Sequence, residues 1–175
     1  MISLRPFEIQ DIPRLIQWIP DAKFLLQWAG PHYHFPLDES QLMESYAATK
    51  AAEQTHYMFK VMSEPEQKVV GHLELLAVDY QKKTAVLGRL LIGDISDRGK
   101  GYGETMIRAG LKFGFEDLDL NELDLGVFEF NRAAMNCYKK FGFQEYKSIQ
   151  YDTDIGDEFK TLKRMRLSRD NWQKV

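Results

Sequence analysis

The sequence predicts an α+β protein: one domain with a mixed central sheet of about seven strands, flanked by about four helices. The 175 residues are a usual length for one domain, and no long linker divides residues 1–175. Hydrophobic residues make up 44% and charged residues 28%, as in ordinary globular proteins. Segments with strand and helix patterns follow one another in the order β-α-α-β-β-β-α-β-α-β-β.

Charge and cysteine content exclude several classes of protein. Lysine plus arginine is 23 and aspartate plus glutamate is 26, so the chain lacks the basic surplus of a nucleic-acid binder. The single cysteine, Cys137, cannot form an internal disulfide, and no Cys/His spacing predicts a metal site. No run approaches the ~18 apolar residues of a membrane span. We expect a cytoplasmic protein with no metal and no membrane or nucleic-acid partner.

The first elements are predicted from caps and breakers. A strand covers Ile2 to Phe7, and Asp11 then caps a helix in which Pro13 is tolerated at the first turn. Residues 20–36 are expected to be irregular and aromatic, since Gly30 and Pro31 oppose a regular helix.

A second helix is predicted from Asp38 to about Ala52. Gln41 stands three residues after Asp38, which is a capping-box pattern. Three strands follow, with short polar turns that indicate antiparallel hairpins. They are His56 to Met62, Lys68 to Val78 and Thr84 to Ile92.

The second half alternates helices and strands. Helical spacing covers Gly103 to Asp117, and Arg132 to Phe141 forms a shorter helix. Because a whole helix separates the strand before it from the strand Leu123 to Phe130, we expect these two strands to be parallel. Two last strands are predicted at Phe143 to Tyr151 and Phe159 to Ser168.

The segment Arg98-Gly99-Lys100-Gly101-Tyr102-Gly103 carries the clearest chemical signal. It lies between a buried strand and an amphipathic helix. Glycines allow close approach of the backbone to a ligand, and the first N–H groups of a helix attract anions. The pattern predicts a phosphate cradle, although a glycine-rich turn without a ligand has the same composition.

Two familiar nucleotide motifs do not fit this segment. A Walker loop needs a Ser or Thr after the lysine, but Gly101 follows Lys100. A dinucleotide fingerprint needs a third glycine where this chain has Glu104.

A second pattern begins at Asn131. Asn131, Ala134 and Tyr138 share one helical face, and Gly142-Phe143 follows. Singly, each has a structural explanation, because Asn131 is a good N-cap, Tyr138 a possible core aromatic and Gly142 a C-cap.

Together the two patterns resemble the GNAT superfamily of N-acetyltransferases. The family loop [QR]-x-x-G-x-[GA] is matched by Arg98, Gly101 and Gly103, and the family helix N-x-x-A-x-x-x-Y-x-x-x-G-F by the pattern from Asn131. The order of elements fits over nearly the whole chain. Within the family, the chain looks similar to the branch with ribosomal-protein-alanine and related small-molecule acetyltransferases.

The resemblance implies direct acetyl transfer from acetyl-CoA to a primary amine, and it assigns roles to residues. The strand before the loop would bind the pantetheine arm, the loop the pyrophosphate, and Asn131 the pantetheine again. Tyr138 would protonate the departing sulfur, unless it only packs or positions CoA. The implied cofactor-binding residues are Leu90, Leu91, Ile92, Arg98, Gly99, Lys100, Gly101, Tyr102, Gly103, Asn131 and Tyr138.

No motif identifies the general base. His72 and Glu74 alternate on one side of their strand, which favours them as a pair. Glu129, His32 and His34 are further candidates, and some family members use a water chain instead of a single base. Each of these residues singly is explained equally well as a structural one.

The aromatic segment 24–35 is expected to form one wall of the acceptor pocket, with Trp28, His32 and His34 on that wall and Glu74 facing the amine from the sheet. These rings would otherwise close the core or form a dimer contact. The acceptor would be a small-molecule amine or a protein N-terminus, and the protein a monomer or homodimer. The alternative function is a non-catalytic CoA-binding sensor or scaffold, which could dispense with Tyr138.

Overall fold

The computed structural model describes residues 2–64, 66–151 and 153–172. Its strands form one sheet in the order β1-β2-β3-β4-β5-β7-β6. The strands are β1 (Ile2–Pro6), β2 (Tyr57–Ser63), β3 (Lys68–Asp79), β4 (Thr84–Ile92), β5 (Glu122–Phe128), β6 (Gln144–Gln150) and β7 (Thr161–Ser168). The helices are α1 (Ile12–Gln17), α2 (Ala22–Ala29), α3 (Glu39–Ala48), α4 (Tyr102–Lys112), α5 (Arg132–Lys140) and α6 (Arg169–Trp172).

The predicted α+β class and the mixed seven-stranded sheet are confirmed. The described residues form six α-helices rather than about four. The additional helices are α6, a single turn at 169–172, and α2, which lies inside the segment predicted to be irregular.

Helix α2 forms because its start and its buried side are well specified. Asp21 accepts a hydrogen bond from the Phe24 backbone N–H over 2.8 Å, and Leu25 and Trp28 are buried. Gly30 ends the helix with a φ of 62°. Gly30 therefore only ends a helix that begins at Ala22, whereas the prediction expected no regular helix anywhere in residues 20–36.

Two further details differ from the predictions. Asp38 does accept from the Gln41 backbone N–H, but the Gln41 side chain bonds to His34 and Pro36 in the preceding loop instead of closing a capping box. Helix α3 ends at Ala48, before the predicted Ala52, because the Thr49 hydroxyl turns back onto the Tyr46 carbonyl over 2.7 Å.

The sheet divides the core into two layers. One contains α1 to α3, with Ile12, Leu42 and Trp28 packed on residues such as Leu91 of β4. The other contains α4 and α5, with Leu111 and Met135 on the opposite face of the central strands. Helix α4 continues into a π-helical turn at Phe113–Asp117. The sheet thus presents one face to each group of helices, and any ligand that reaches both faces must pass through an opening in it.

Candidate active site

That opening lies between β4 and β5. The two strands are parallel, as predicted, but they pair only over Thr84–Val86 and Glu122–Asp124. Beyond Val86, β4 continues to Ile92 without a partner on its β5 side among the described residues. The free edge of β4 therefore offers backbone N–H and C=O groups to an extended ligand.

A β-bulge at Arg89 bends β4 at the start of this free edge. Gly88 faces Glu74 on β3 and Leu91 faces His72, so two residues of β4 oppose Leu73 alone. Arg89 has a φ of 51°, which a non-glycine residue rarely adopts. A bulge of this kind redirects backbone groups, and here it precedes Leu90 to Ile92, the predicted pantetheine-binding residues.

The glycine-rich loop follows directly and opens α4. Gly99 and Gly101 have φ values of 77° and 82°, and Gly101 is the N-cap of α4 with no side chain capping the helix. A Cβ placed on Gly99, Gly101 or Gly103 would meet no atom within 4 Å. Uncapped helix N–H groups facing open space in a glycine loop suit a phosphate group of the predicted CoA.

Two cations flank this loop. Lys100 pairs with Asp97 over 3.0 Å, and the buried Asp97 also holds Lys68 over 2.7 Å. Arg98 lies over the Phe24 ring, and within the described ranges no carboxylate pairs with it. Arg98 is thus the cation of this loop that is available to pair with an anionic ligand.

Helix α5 brings Asn131 and Tyr138 to the same region. Asn131 Oδ1 accepts from the Ala134 backbone N–H over 3.2 Å, so Asn131 does cap α5. Lys140 in the last turn of α5 pairs with Glu104 in the first turn of α4 over 2.6 Å. The turn that carries Tyr138 therefore lies beside the helix end that the glycine loop opens.

Tyr138 is a protonated phenol in this environment. Burial, with a smaller contribution from Cys137, raises the pKa of Tyr138 to about 12. Its ring packs edge-on against Phe143, and the described residues provide no hydrogen bond to its hydroxyl. Burial also raises the pKa of the neighbouring Cys137 thiol, so Cys137 is a poor nucleophile.

Glu74 is the centre of a buried charged cluster. Its side chain is fully buried, and its carboxylate lies 2.8 Å from Arg89 NH1, 2.6 Å from His56 Nε2 and 2.8 Å from His72 Nε2. Burial alone would raise the pKa of Glu74, but Arg89 and the two histidines outweigh burial and hold it well below the ordinary value. His72 and Glu74 thus lie together, as their shared face of β3 predicts, while their role as a general base stays a prediction.

The cluster includes two residues that the sequence analysis did not select, His56 and Arg89, and Tyr33 from the aromatic segment predicted to line the acceptor pocket. The Arg89 guanidinium also donates to the Tyr33 hydroxyl over 2.8 Å, and that hydroxyl in turn donates to Ser45. The sequence does contain a signal for this cluster. Arg89 lies inside the apolar strand 84–92, and a buried guanidinium needs a carboxylate as its partner.

The aromatic segment separates two cavities. The apolar cavity, of about 270 Å³, lies between α2, residues 30–35, the end of β5, Tyr151 and residues 153–159. The polar cavity, of about 400 Å³, lies between His32, Glu44, His56 and Arg89. Tyr33 and His34 line both cavities.

The other predicted site residues are distributed around these features. Trp28 donates from Nε1 to the Arg89 carbonyl over 2.8 Å. Burial lowers the pKa of His32, with a further contribution from Arg89. Glu129 lies 3.2 Å from Lys163 of β7, away from the Glu74 cluster. No three His, Cys, Asp or Glu side chains of the described chain are arranged to hold a metal ion. Within the same residues, no helix is long and apolar enough to cross a membrane.

An open parallel strand pair beside an uncapped, glycine-rich helix start defines an α+β domain with a surface suited to an extended, phosphate-bearing ligand. Residues 2–144 match the model of the acetyltransferase (GNAT) domain. The chain therefore belongs to the GNAT acetyltransferase family.

Two groups of relatives with named activities are similar to this chain. Spermidine N(1)-acetyltransferase of Vibrio cholerae is 25% identical over 107 residues, which cover 61% of this chain and 61% of that enzyme. Aminoglycoside N(6')-acetyltransferase type 1 of Klebsiella pneumoniae is 24% identical, over 85% of this chain and 76% of that enzyme. These relatives act on spermidine and aminoglycosides, and do not support the narrower placement near ribosomal-protein-alanine acetyltransferases.

Solved structures agree on the fold. The Vibrio cholerae spermidine N-acetyltransferase in complex with CoA and spermine has a TM-score of 0.82, with 22% identity and 98% of each chain covered. A structure of the same enzyme with a TM-score of 0.77, 22% identity and coverage of 98% of this chain and 95% of that one is a dodecamer. The expected restriction to a monomer or homodimer finds no support in that neighbour.

Proposed function

We propose that the protein transfers an acetyl group from acetyl-CoA to a primary amine, without a metal. The observation that carries this proposal is the free edge of β4 running into an uncapped, glycine-rich start of α4, with the turn of Tyr138 beside it. The edge at Leu90 to Ile92 would hold the pantetheine arm, and the loop from Arg98 to Gly103 the pyrophosphate.

In the reaction the amine nitrogen forms a bond to the acetyl carbon as the carbon–sulfur bond breaks. One proton leaves the nitrogen and one reaches the sulfur. Tyr138 supplies the second proton, since its raised pKa keeps the phenol protonated at neutral pH. The burial that raises the pKa of the Tyr138 hydroxyl also raises the basicity of a thiolate held beside it, which brings the two groups closer in proton affinity.

The proton from the amine leaves through the cluster around Glu74. The Glu74 carboxylate is occupied by three donors, so it acts as a positioning residue. Of the two histidines in the cluster, His56 lines the polar cavity and has 11% of its side chain exposed, whereas His72 is 1% exposed. We therefore assign the proton to His56 rather than to Glu74 or His72.

The acceptor enters from the side of α2, Tyr151 and residues 153–159, where the apolar cavity has a volume of about 270 Å³. A cavity of this size favours a small molecule over a protein N-terminus, which needs a longer groove. The lone cysteine fits a reducing, cytoplasmic location. A sensor that only binds CoA is the second candidate function, and the presence of Tyr138 favours the enzyme.

One experiment separates these two functions. Calorimetry should detect acetyl-CoA binding, and release of free CoA should then depend on added amine. A panel should include arylalkylamines, polyamines, an aminoglycoside and a short peptide. Binding of acetyl-CoA without amine-dependent release for any acceptor would identify a sensor.

A further inference from the structure

The apolar cavity continues from the proposed transfer site. Phe128, the last residue of β5, packs with Leu26 of α2 and with Phe159. Trp28 of the same helix bonds to the Arg89 carbonyl at the β4 bulge. Helix α2 therefore spans the open end between β4 and β5, and the cavity beneath it is bounded by residues from both sides of that opening.

The walls of this cavity are mainly apolar. They include Leu25, Leu26, Phe35, Phe128, Ile155 and Phe159. No described residue that lines the cavity carries a carboxylate. The polar side chains on its wall are Tyr33, His34, Tyr151 and Thr153, and the Tyr33 hydroxyl is already engaged by Arg89 and Ser45.

Two ion pairs lie beside the cavity: Glu158 pairs with Lys23 over 3.0 Å, and Asp157 pairs with Lys160 over 2.5 Å. Asp154 stands between the lining residues Thr153 and Ile155 and has no ion pair among the described residues, so a second ammonium group could find a counter-charge at the rim but none on the described walls of the cavity. Burying an unpaired ammonium group inside the cavity is strongly unfavourable.

We propose that the acceptor is a small primary amine with an aromatic or branched apolar group, and that the apolar cavity holds this group. The proposal rests on the proposed acetyl transfer and specifies its acceptor. A cavity of about 270 Å³ is larger than the ~150 Å³ cavity that holds one benzene, so a ring with a short side chain fits. An apolar site also favours the neutral, nucleophilic form of the amine over its ammonium form.

This acceptor differs from the polycations that the named relatives acetylate. The polar cavity, which contains Glu44 and three histidines, is the place where a polyamine would find an acidic partner in this chain. The two cavities thus predict opposite substrate preferences, and a comparison of acceptors distinguishes them.

The test compares phenethylamine with spermidine for the full chain, with acetyl-CoA and measurement of free CoA. We expect kcat/KM at least tenfold higher for phenethylamine, since one or two methylenes in an apolar pocket already change specificity by ~10–200-fold. Equal or higher kcat/KM for spermidine would overturn the assignment and favour the polar cavity.

Variants at the exposed rim locate the effect. Ile155 is 38% exposed and Phe35 47%, so Ile155→Glu and Phe35→Glu should leave folding intact. Each should lower kcat/KM for phenethylamine about tenfold without changing acetyl-CoA affinity. Ile9→Glu, at a 47% exposed residue outside the cavity, is the control and should behave like wild type. Wild-type kinetics in both rim variants would contradict the proposal.

Failure of the acetyl transfer itself has a different signature. If no amine releases CoA, calorimetry of phenethylamine with the protein–CoA complex still tests the cavity. If phenethylamine binds to the wild-type complex and Ile155→Glu abolishes this binding, the apolar acceptor site is supported even though the proposed reaction is wrong. No binding of phenethylamine would overturn the inference.

Discussion

Arg89 donates from NH1 to the Glu74 carboxylate over 2.8 Å, and both side chains are buried. The pair joins the bulge of β4 to the centre of β3, so it fixes the strand whose free edge is the proposed CoA site. Because a buried charge that loses its partner is costly, the pair should be visible in stability measurements.

Glu74→Gln leaves the Arg89 guanidinium buried without a counter-charge. We expect it to lower the free energy of unfolding at pH 7 by about 3–5 kcal/mol. The double variant Glu74→Leu/Arg89→Met removes both charges and should be more stable than Glu74→Gln. Urea unfolding of the three proteins measures this, and a double variant less stable than Glu74→Gln would contradict a simple ion-pair role.

The same pair has a pH dependence of known sign. The folded pKa of Glu74 lies below its unfolded value of about 4.3, so its contribution is complete above that pH and is lost as the pH falls further. The stability difference between wild type and the double variant should therefore shrink on acidification below pH ~4.3, by about 1.4 kcal/mol per pH unit.

His56→Gln tests the proton acceptor. Glutamine can still donate to the Glu74 carboxylate, but it cannot accept a proton near neutral pH. We expect kcat to fall ~10²–10⁴-fold with little change in the KM for acetyl-CoA. A larger loss of kcat in His32→Gln would transfer the role to His32, on the opposite wall of the polar cavity.

Gly101→Val tests the phosphate cradle. Gly101 has a φ of 82° and open space in front of it, so the added methyl groups point where a ligand would approach. Acetyl-CoA affinity should fall, together with ~1–2 kcal/mol of stability from the unfavourable backbone conformation. Lys83→Val, at a φ of 56° in the β3–β4 turn, is the control for this strain and should bind acetyl-CoA normally. Unchanged acetyl-CoA affinity in folded Gly101→Val would show that the pyrophosphate does not bind in this loop.

Tyr138→Phe removes the proposed acid without removing the ring. When chemistry limits the rate, kcat should fall ~10²–10⁴-fold while the KM for acetyl-CoA changes little, because the hydroxyl acts only as the thiolate leaves. Tyr80→Phe removes an exposed hydroxyl that bonds to Tyr57 and the Gln54 carbonyl, and it should have no effect. A wild-type kcat in Tyr138→Phe would assign Tyr138 to packing.

The sheet and the glycine loop could be predicted from sequence because their signals are local. Alternating apolar residues define each strand, and the spacing of Gly99, Gly101 and Gly103 defines the loop. The prediction does not include α2 because it treats Gly30 and Pro31 as preventing a helix throughout residues 20–36. In the structure Gly30 only ends the helix after Ala29.

The Glu74 cluster and the apolar cavity could not be predicted in the same way. His56, just before β2, and Arg89, at the bulge of β4, bond to Glu74, and Tyr33 joins them from a loop through Arg89. No local pattern connects these segments. The cavity likewise forms only where α2 meets Tyr151 and residues 153–159. Both depend on tertiary packing, which the spacing of residues within one segment does not encode.

Acetyl transfer to an amine at the opening between β4 and β5 is tested by mass spectrometry of a timed reaction with acetyl-CoA and phenethylamine, combined with measurement of free CoA. We expect one N-acetylated amine for each CoA released in wild type, and a strong decrease of both in Gly101→Val. Release of CoA without an acetylated amine, or equal product formation by wild type and Gly101→Val, would contradict it.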